Sequence, residues 1–103
     1  MGNRALVQVV DSDSEFSPVL YLHWQGGCAP AYIEQLKTMM ADRDDDCAYT
    51  FARLVGIAHT AIEPPLSVGV WNADAKLTAA DSHGDSGVYI VHCYDNWEVE
   101  HLL

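Results

Sequence analysis

Asp81, His83 and Asp85 alternate along the chain and form its densest group of metal-capable side chains. Carboxylate oxygen and imidazole nitrogen are hard or borderline donors for a divalent cation. In an extended loop, alternate residues fall on one side, so the three can converge on one ion. That chemistry would belong to a small metal-binding protein or a metal-dependent hydrolase. Such a site needs further ligands and an orienting outer shell. His59, His92 or His101 could supply one such ligand, and nothing in the sequence brings them to the loop. A polar turn rich in Asp, Ser and Gly accounts for the same residues without a metal, and no cofactor is expected.

Other segments carry fragments of catalytic patterns. Gly84-Asp85-Ser86-Gly87 is the tetrapeptide that surrounds the nucleophile of trypsin-like proteases. The match ends there, because the chain is too short for that double barrel and lacks the ordered His and Asp contexts. Asp11-Ser12-Asp13-Ser14-Glu15 begins like an EF-hand loop, then fails with Phe16 at position six and Leu22 at position twelve. His23, His59, His92 and His101 are the histidines outside the 81–85 loop, candidates for proton transfer by residue type alone. His59 follows Val55 by one helical turn and is expected to be a partly buried structural histidine. Cys28 precedes a helix start, where thiols are acidified, but no CxxC accompanies it. There is no phosphate-binding loop or dinucleotide fingerprint, and no basic aromatic patch for nucleic acid. No catalytic residue is assigned, and a binding protein is expected rather than an enzyme.

Charge gives a more general signal. Fifteen acidic residues stand against five basic ones, for a net charge of −10. Two runs stand out: Asp11, Asp13 and Glu15, then Asp42, Asp44, Asp45 and Asp46. Such a field repels phosphates and anionic membranes and favours cationic partners. A basic protein partner is therefore expected, without direct binding to nucleic acid or membrane. Solubility and helix capping account for the same charges on their own.

These residues need elements to hold them. A chain of 103 residues is expected to form one domain with its own core. The second acidic run opens a central helix, where Asp46 or Asp45 can accept the N-cap hydrogen bond and the carboxylates suit the positive end of the helix dipole. Phe51, Leu54, Val55, Ala58, Ala61 and Ile62 recur at helical spacing, and Pro64-Pro65 stops the run. Ala31–Arg43 reads as a preceding helix with Pro30 in its first turn, and Tyr32, Ile33, Leu36, Met39 and Met40 on one face. Arg4–Val10 and Val19–Trp24 read as a hairpin, with Leu20, Leu22 and Trp24 on one face and Val19, Tyr21 and His23 on the other. Leu66–Trp71 is a third strand, and residues 72–86 are a long loop. Gly87–Tyr94 and Trp97–Leu102 form a second hairpin around Asp95-Asn96. The last strand is a candidate edge for a homodimer. The sum is an α+β fold in the order β-β-α-α-β-β-β, with an antiparallel sheet and two helices on one face.

Two segments, Ser17–Gly27 (SPVLYLHWQGG) and Arg43–His59 (RDDDCAYTFARLVGIAH), resemble a family of small bacterial and phage-borne proteins with no assigned activity. They cover about a quarter of the chain. The resemblance implies a mobile-element accessory protein and carries no catalytic residue with it. By analogy of class, small acidic proteins of that kind include anti-CRISPR and anti-restriction inhibitors.

No apolar run reaches the roughly 18 residues of a membrane helix. The first ten residues do not read as a secretory signal, and Leu6 stands where a myristoylation signal prefers Ser or Thr. Cys28, Cys47 and Cys93 are odd in number and scattered, which fits reduced thiols in the cytoplasm.

Overall fold

The computed structural model describes residues 3–61 and 67–103. Its strands are β1 (Ala5–Val10), β2 (Val19–Leu22), β3 (Val68–Trp71), β4 (Gly87–His92) and β5 (Val99–Leu102). They form one sheet in the order β3-β2-β1-β4-β5. Helices α1 (Ala29–Met39) and α2 (Cys47–Ala61) pack on one face of it. The α+β class with five strands and two helices matches the expectation. The antiparallel sheet does not. β1 and β4 run parallel, from Ala5 opposite Gly87 to Val10 opposite His92, while the other three pairings are antiparallel. The 72–86 segment is the physical reason, since a parallel connection needs a dozen or more residues and this one is long enough to cross the sheet.

α2 begins where its capping carboxylate dictates. The Asp46 side chain accepts the Tyr49 N–H at 3.1 Å, and the Asp46 carbonyl accepts the Thr50 N–H at 2.9 Å. The buried stripe is Cys47, Thr50, Phe51, Leu54, Ile57 and Ala58. It is rotated toward Ile57 relative to the expected one: Val55 is half-buried, and Ala61 and His59 are exposed. The structural burial expected for His59 is therefore corrected. α1 starts and ends earlier than expected. Met40 is buried beyond its end, while Met39 is half exposed, because adjacent helical positions point about 100° apart. The expected roles of Ile62, Pro64, Pro65 and Leu66 lie outside the described residues.

Two apolar layers result. Ala5, Val7 and Val9 of β1 face the helices with Leu20 and Leu22 of β2. Leu6 and Val10 face the other way with Val19, Val88 and Ile90, and there Leu77 of the 72–86 segment covers them. Gln8 lies on this second face and is fully buried. Its amide donates to the Ser17 carbonyl at 2.9 Å and accepts the Leu77 N–H at 2.8 Å. One side chain thus ties the covering segment to the first hairpin. The hairpin carries a bulge at the same place. Val7 pairs with Leu20 but Val10 bridges to Phe16, a shift of one residue. The Ser17 hydroxyl fills the gap by accepting the Val9 N–H at 2.9 Å.

The second hairpin also departs from expectation by one residue. Tyr89 faces His101 and Ile90 faces Glu100, rather than Ile90 facing His101. A one-residue slip exchanges the two faces of a strand. The extra residue is taken up in the turn itself, where the Trp97 N–H donates to the Tyr94 carbonyl at 2.9 Å and the His92 N–H donates to the Glu98 carbonyl at 2.9 Å. The chain uses residues 93–97 for it, with Asp95 and Trp97 at positive φ and Trp97 buried. Among the described residues, no helix is long and apolar enough to cross a membrane.

Candidate functional site

The two acidic runs meet. The Asp45 carboxylate accepts the Ser12 N–H at 2.8 Å and the Ser12 hydroxyl at 2.5 Å. That contact joins the 11–15 turn to the 42–46 link at the end of the sheet where β1 and β4 finish. The members do different work. Asp11 is buried, against the expectation of a partner-facing group. Its carboxylate is spent inside the turn, accepting the Asp13 and Glu15 N–H groups at 3.0 Å each. Asp46 caps α2 and lies 3.6 Å from Arg43, whose guanidinium sits 3.8 Å over the Tyr49 ring. Asp13, Glu15, Asp42 and Asp44 are exposed, and they provide the outward charge.

The two Ser12 hydrogen bonds hold the Asp45 carboxyl below its ordinary 3.8. A carboxyl depressed in the folded state stabilises the fold above its unfolded value and loses that contribution as pH falls through the folded value. Ser12→Ala removes the hydroxyl donor and with it the larger part of this depression, while the backbone N–H stays in place. The gap in melting temperature between the native chain and Ser12→Ala is expected to be full near neutrality and to close below about pH 3.8. A gap that is constant from pH 7 to pH 3 would contradict the clasp.

Beneath this end lie two buried thiols. Burial pushes Cys47 up to about 12, with Cys93 and the carboxylates of Asp11, Glu15 and Asp46 adding to it. Cys93 is raised chiefly by burial as well. A thiol nucleophile needs the opposite shift, so both cysteines act here as small apolar side chains. Cys47 donates to the Val9 carbonyl at 3.4 Å.

The 81–85 loop keeps its ligand-type residues apart. Asp81 closes a capping box with Thr78, accepting its N–H at 2.8 Å. Asp85 accepts the Arg4 backbone N–H at 3.0 Å and its guanidinium Nε–H at 2.9 Å. That guanidinium holds the Asp85 carboxyl below the ordinary carboxylate range. His83 packs on aromatic rings instead. Among the described residues, no three His, Cys, Asp or Glu side chains are grouped so as to hold a metal ion. Ser86 donates its hydroxyl to Asn3 at 2.6 Å, and His101 meets the Ser86 carbonyl rather than the hydroxyl.

A feature that spacing did not reveal lies at the β3 edge. Tyr21 and Trp71 stand 5.3 Å apart between ring centroids, and His83 lies 5.5 Å from Tyr21 and stacks 6.1 Å from Trp71. The Tyr21 hydroxyl and His23 Nδ1 are in hydrogen-bond contact at 2.6 Å. The signal available was the alternation of Tyr21 and His23 on one strand, but their partners come from distant segments. Next to Trp71 a cleft of about 280 Å³ runs between the sheet and the 72–81 segment. A wider groove of about 650 Å³ lies between the outer faces of α1 and α2, beside Met39, Arg53 and Gly56. No protein-family model, curated protein or solved structure matches the chain.

Proposed function

We propose that the chain is a non-enzymatic acidic binding protein of the cytoplasm. Its acidic end docks on a basic surface of a larger protein and occludes it. A nucleic-acid-handling enzyme has such a surface, and an accessory protein or inhibitor from a mobile element would act this way. The observation that supports this reading is the Asp45–Ser12 clasp, which turns two runs some thirty positions apart into one charged end. With Asp13, Glu15, Asp42 and Asp44 facing water, attraction adds to encounter rate and specificity more than to raw affinity.

The test begins with a pull-down from host lysate at low salt, followed by titration of the purified partner. Affinity is expected to fall steeply with salt, since exposed charges are screened beyond about 8–10 Å at physiological ionic strength. The combined change Asp13→Asn, Asp42→Asn and Asp44→Asn is expected to weaken low-salt binding about tenfold, from a few tenths of a kcal/mol to 1 kcal/mol per exposed charge pair. It should also flatten the salt response. Binding that ignores both salt and neutralisation would sink the electrostatic reading.

A further inference from the structure

We propose that the free side of β3 is a docking edge for an extended, basic segment of a partner protein, with one of its lysine or arginine side chains held beside Trp71 and Asp74. The proposal rests on the acidic-binding reading for the partner's charge and names the contact through which that partner engages.

The backbone comes first. His23 N–H donates to the Ser67 carbonyl at 3.0 Å, so this pair is a bonded one in the β2–β3 ladder. Bonded and non-bonded pairs alternate in an antiparallel ladder. With Leu22 opposite Val68 and Leu20 opposite Val70, the N–H and C=O groups of Val68 and Val70 point away from β2. Among the described residues β3 is the outermost strand on that side. An added strand satisfies such groups.

Side chains distinguish this edge from the other. β5 carries Glu98 beside it and Glu100 and His101 within it, and Glu100 is held by His92 at 2.6 Å and by Lys76 at 3.9 Å. Charged residues are how edges are normally guarded. β3 is VGVW, without a charge, and Val70 and Trp71 are 50% and 42% exposed. Gly69 adds no side chain between the edge and the Tyr21 ring, which its Cβ would touch at 3.7 Å.

Location sets the sign of the partner. Val10 bridges to Phe16, and Val19 pairs with Trp71. The C-terminal end of β3 therefore lies at the same end of the sheet as the acidic 11–15 turn. Two strand spacings are roughly 10 Å, about one screening length. A cationic side chain leaving the added strand meets the Trp71 ring, where cation–π attraction operates, and the exposed Asp74 in the adjoining cleft. The cleft's 280 Å³ falls below the roughly 300–1,000 Å³ of sites for drug-sized ligands and suits a single side chain. Lys76, also on the cleft wall, is paired with Glu100. A second copy of this chain would bring another −10 charge to the same edge, which disfavours it against a basic segment.

The full-length chain is titrated with a peptide of alternating valine and lysine and with its valine–glutamate counterpart, following binding by tryptophan fluorescence and calorimetry. Two variants report on the edge. Trp71→Ala removes the ring, and Val70→Pro removes one outward N–H while leaving the β2 ladder intact, a position where edge strands tolerate proline. With circular dichroism unchanged, each is expected to weaken the lysine peptide about tenfold, and the glutamate peptide is expected not to bind. Lysine-peptide binding that both variants leave untouched would overturn the proposal. So would a dimer in solution that Val70→Pro converts to monomer, because the edge would then belong to a second copy. Loss of binding only in the neutralised Asp13, Asp42 and Asp44 variant would overturn the edge and leave the acidic reading standing. Loss in the edge variants with no response to salt or neutralisation would overturn the basic assignment and the acidic reading together.

Discussion

Gln8→Ala is expected to destabilise the protein by about 4 kcal/mol, the sum of two orphaned buried groups at about 1–3 kcal/mol each and a small cavity. The two groups are the Leu77 N–H and the Ser17 carbonyl, each held by the Gln8 amide at under 3 Å in a fully buried setting. Neither has a second partner to turn to in the hydrogen bonds of the described residues. Leu77 is also the main apolar contact of the 72–86 cover, so its release uncovers Leu6, Val19 and Ile90. Urea unfolding is the direct measurement: the midpoint should fall with little change in slope. Amide exchange should show Leu77 losing its protection. A drop below about 1 kcal/mol would mean that water or a local shift satisfies both groups.

Gly87→Ala comes next, at about 3 kcal/mol, from a left-handed backbone strain of about 1 kcal/mol plus overpacking of about 1–3 kcal/mol. Gly87 has φ +78° at the start of β4, and an added Cβ would press on the Leu102 carbonyl oxygen and lie 3.1 Å from the Leu103 side chain. β5 would have to move outward. Gly84 separates the two causes. It has φ +87° with nothing within 4 Å of an added Cβ, so Gly84→Ala should cost only the strain of about 1 kcal/mol. Comparable losses at the two sites would show that the Leu102 contact relaxes freely. Thermal melts of both variants decide between these results.

Local signals carried far in this chain, and long-range commitments did not. The cap at Asp46, the first hairpin and the inward-facing Leu20 and Leu22 were legible because each depends on neighbours a few residues away. The parallel β1–β4 pairing was not, since nothing near either strand reports which partner it will take. The slip in the second hairpin arises in the turn, where Trp97 at positive φ takes up one residue, a backbone state that Asp95-Asn96 does not announce. Gln8 is a polar residue in an apolar strand, and the partner that lets it be buried, Leu77, comes from 69 positions away. For the acidic site, the runs were visible and their meeting was not, because the Ser12–Asp45 contact spans 33 positions. The burial of Asp11 follows from the same turn.

The sheet is centred on β1, and β1 has its parallel neighbour at the far end of the chain, with Ala5 opposite Gly87. A polypeptide growing from its N-terminus therefore holds the middle strand with one side empty until nearly all of the domain has been synthesised. Closing a loop of this length costs only about 0.6 kcal/mol more than closing one half as long, so the arrangement takes little from final stability. It acts on time instead. Pairings between sequence-distant strands place a domain toward the millisecond-to-second end of folding rates. During that interval the open side of β1 is an association-prone edge of the nascent chain, and the acidic excess already present in the earlier segments keeps unfinished copies apart.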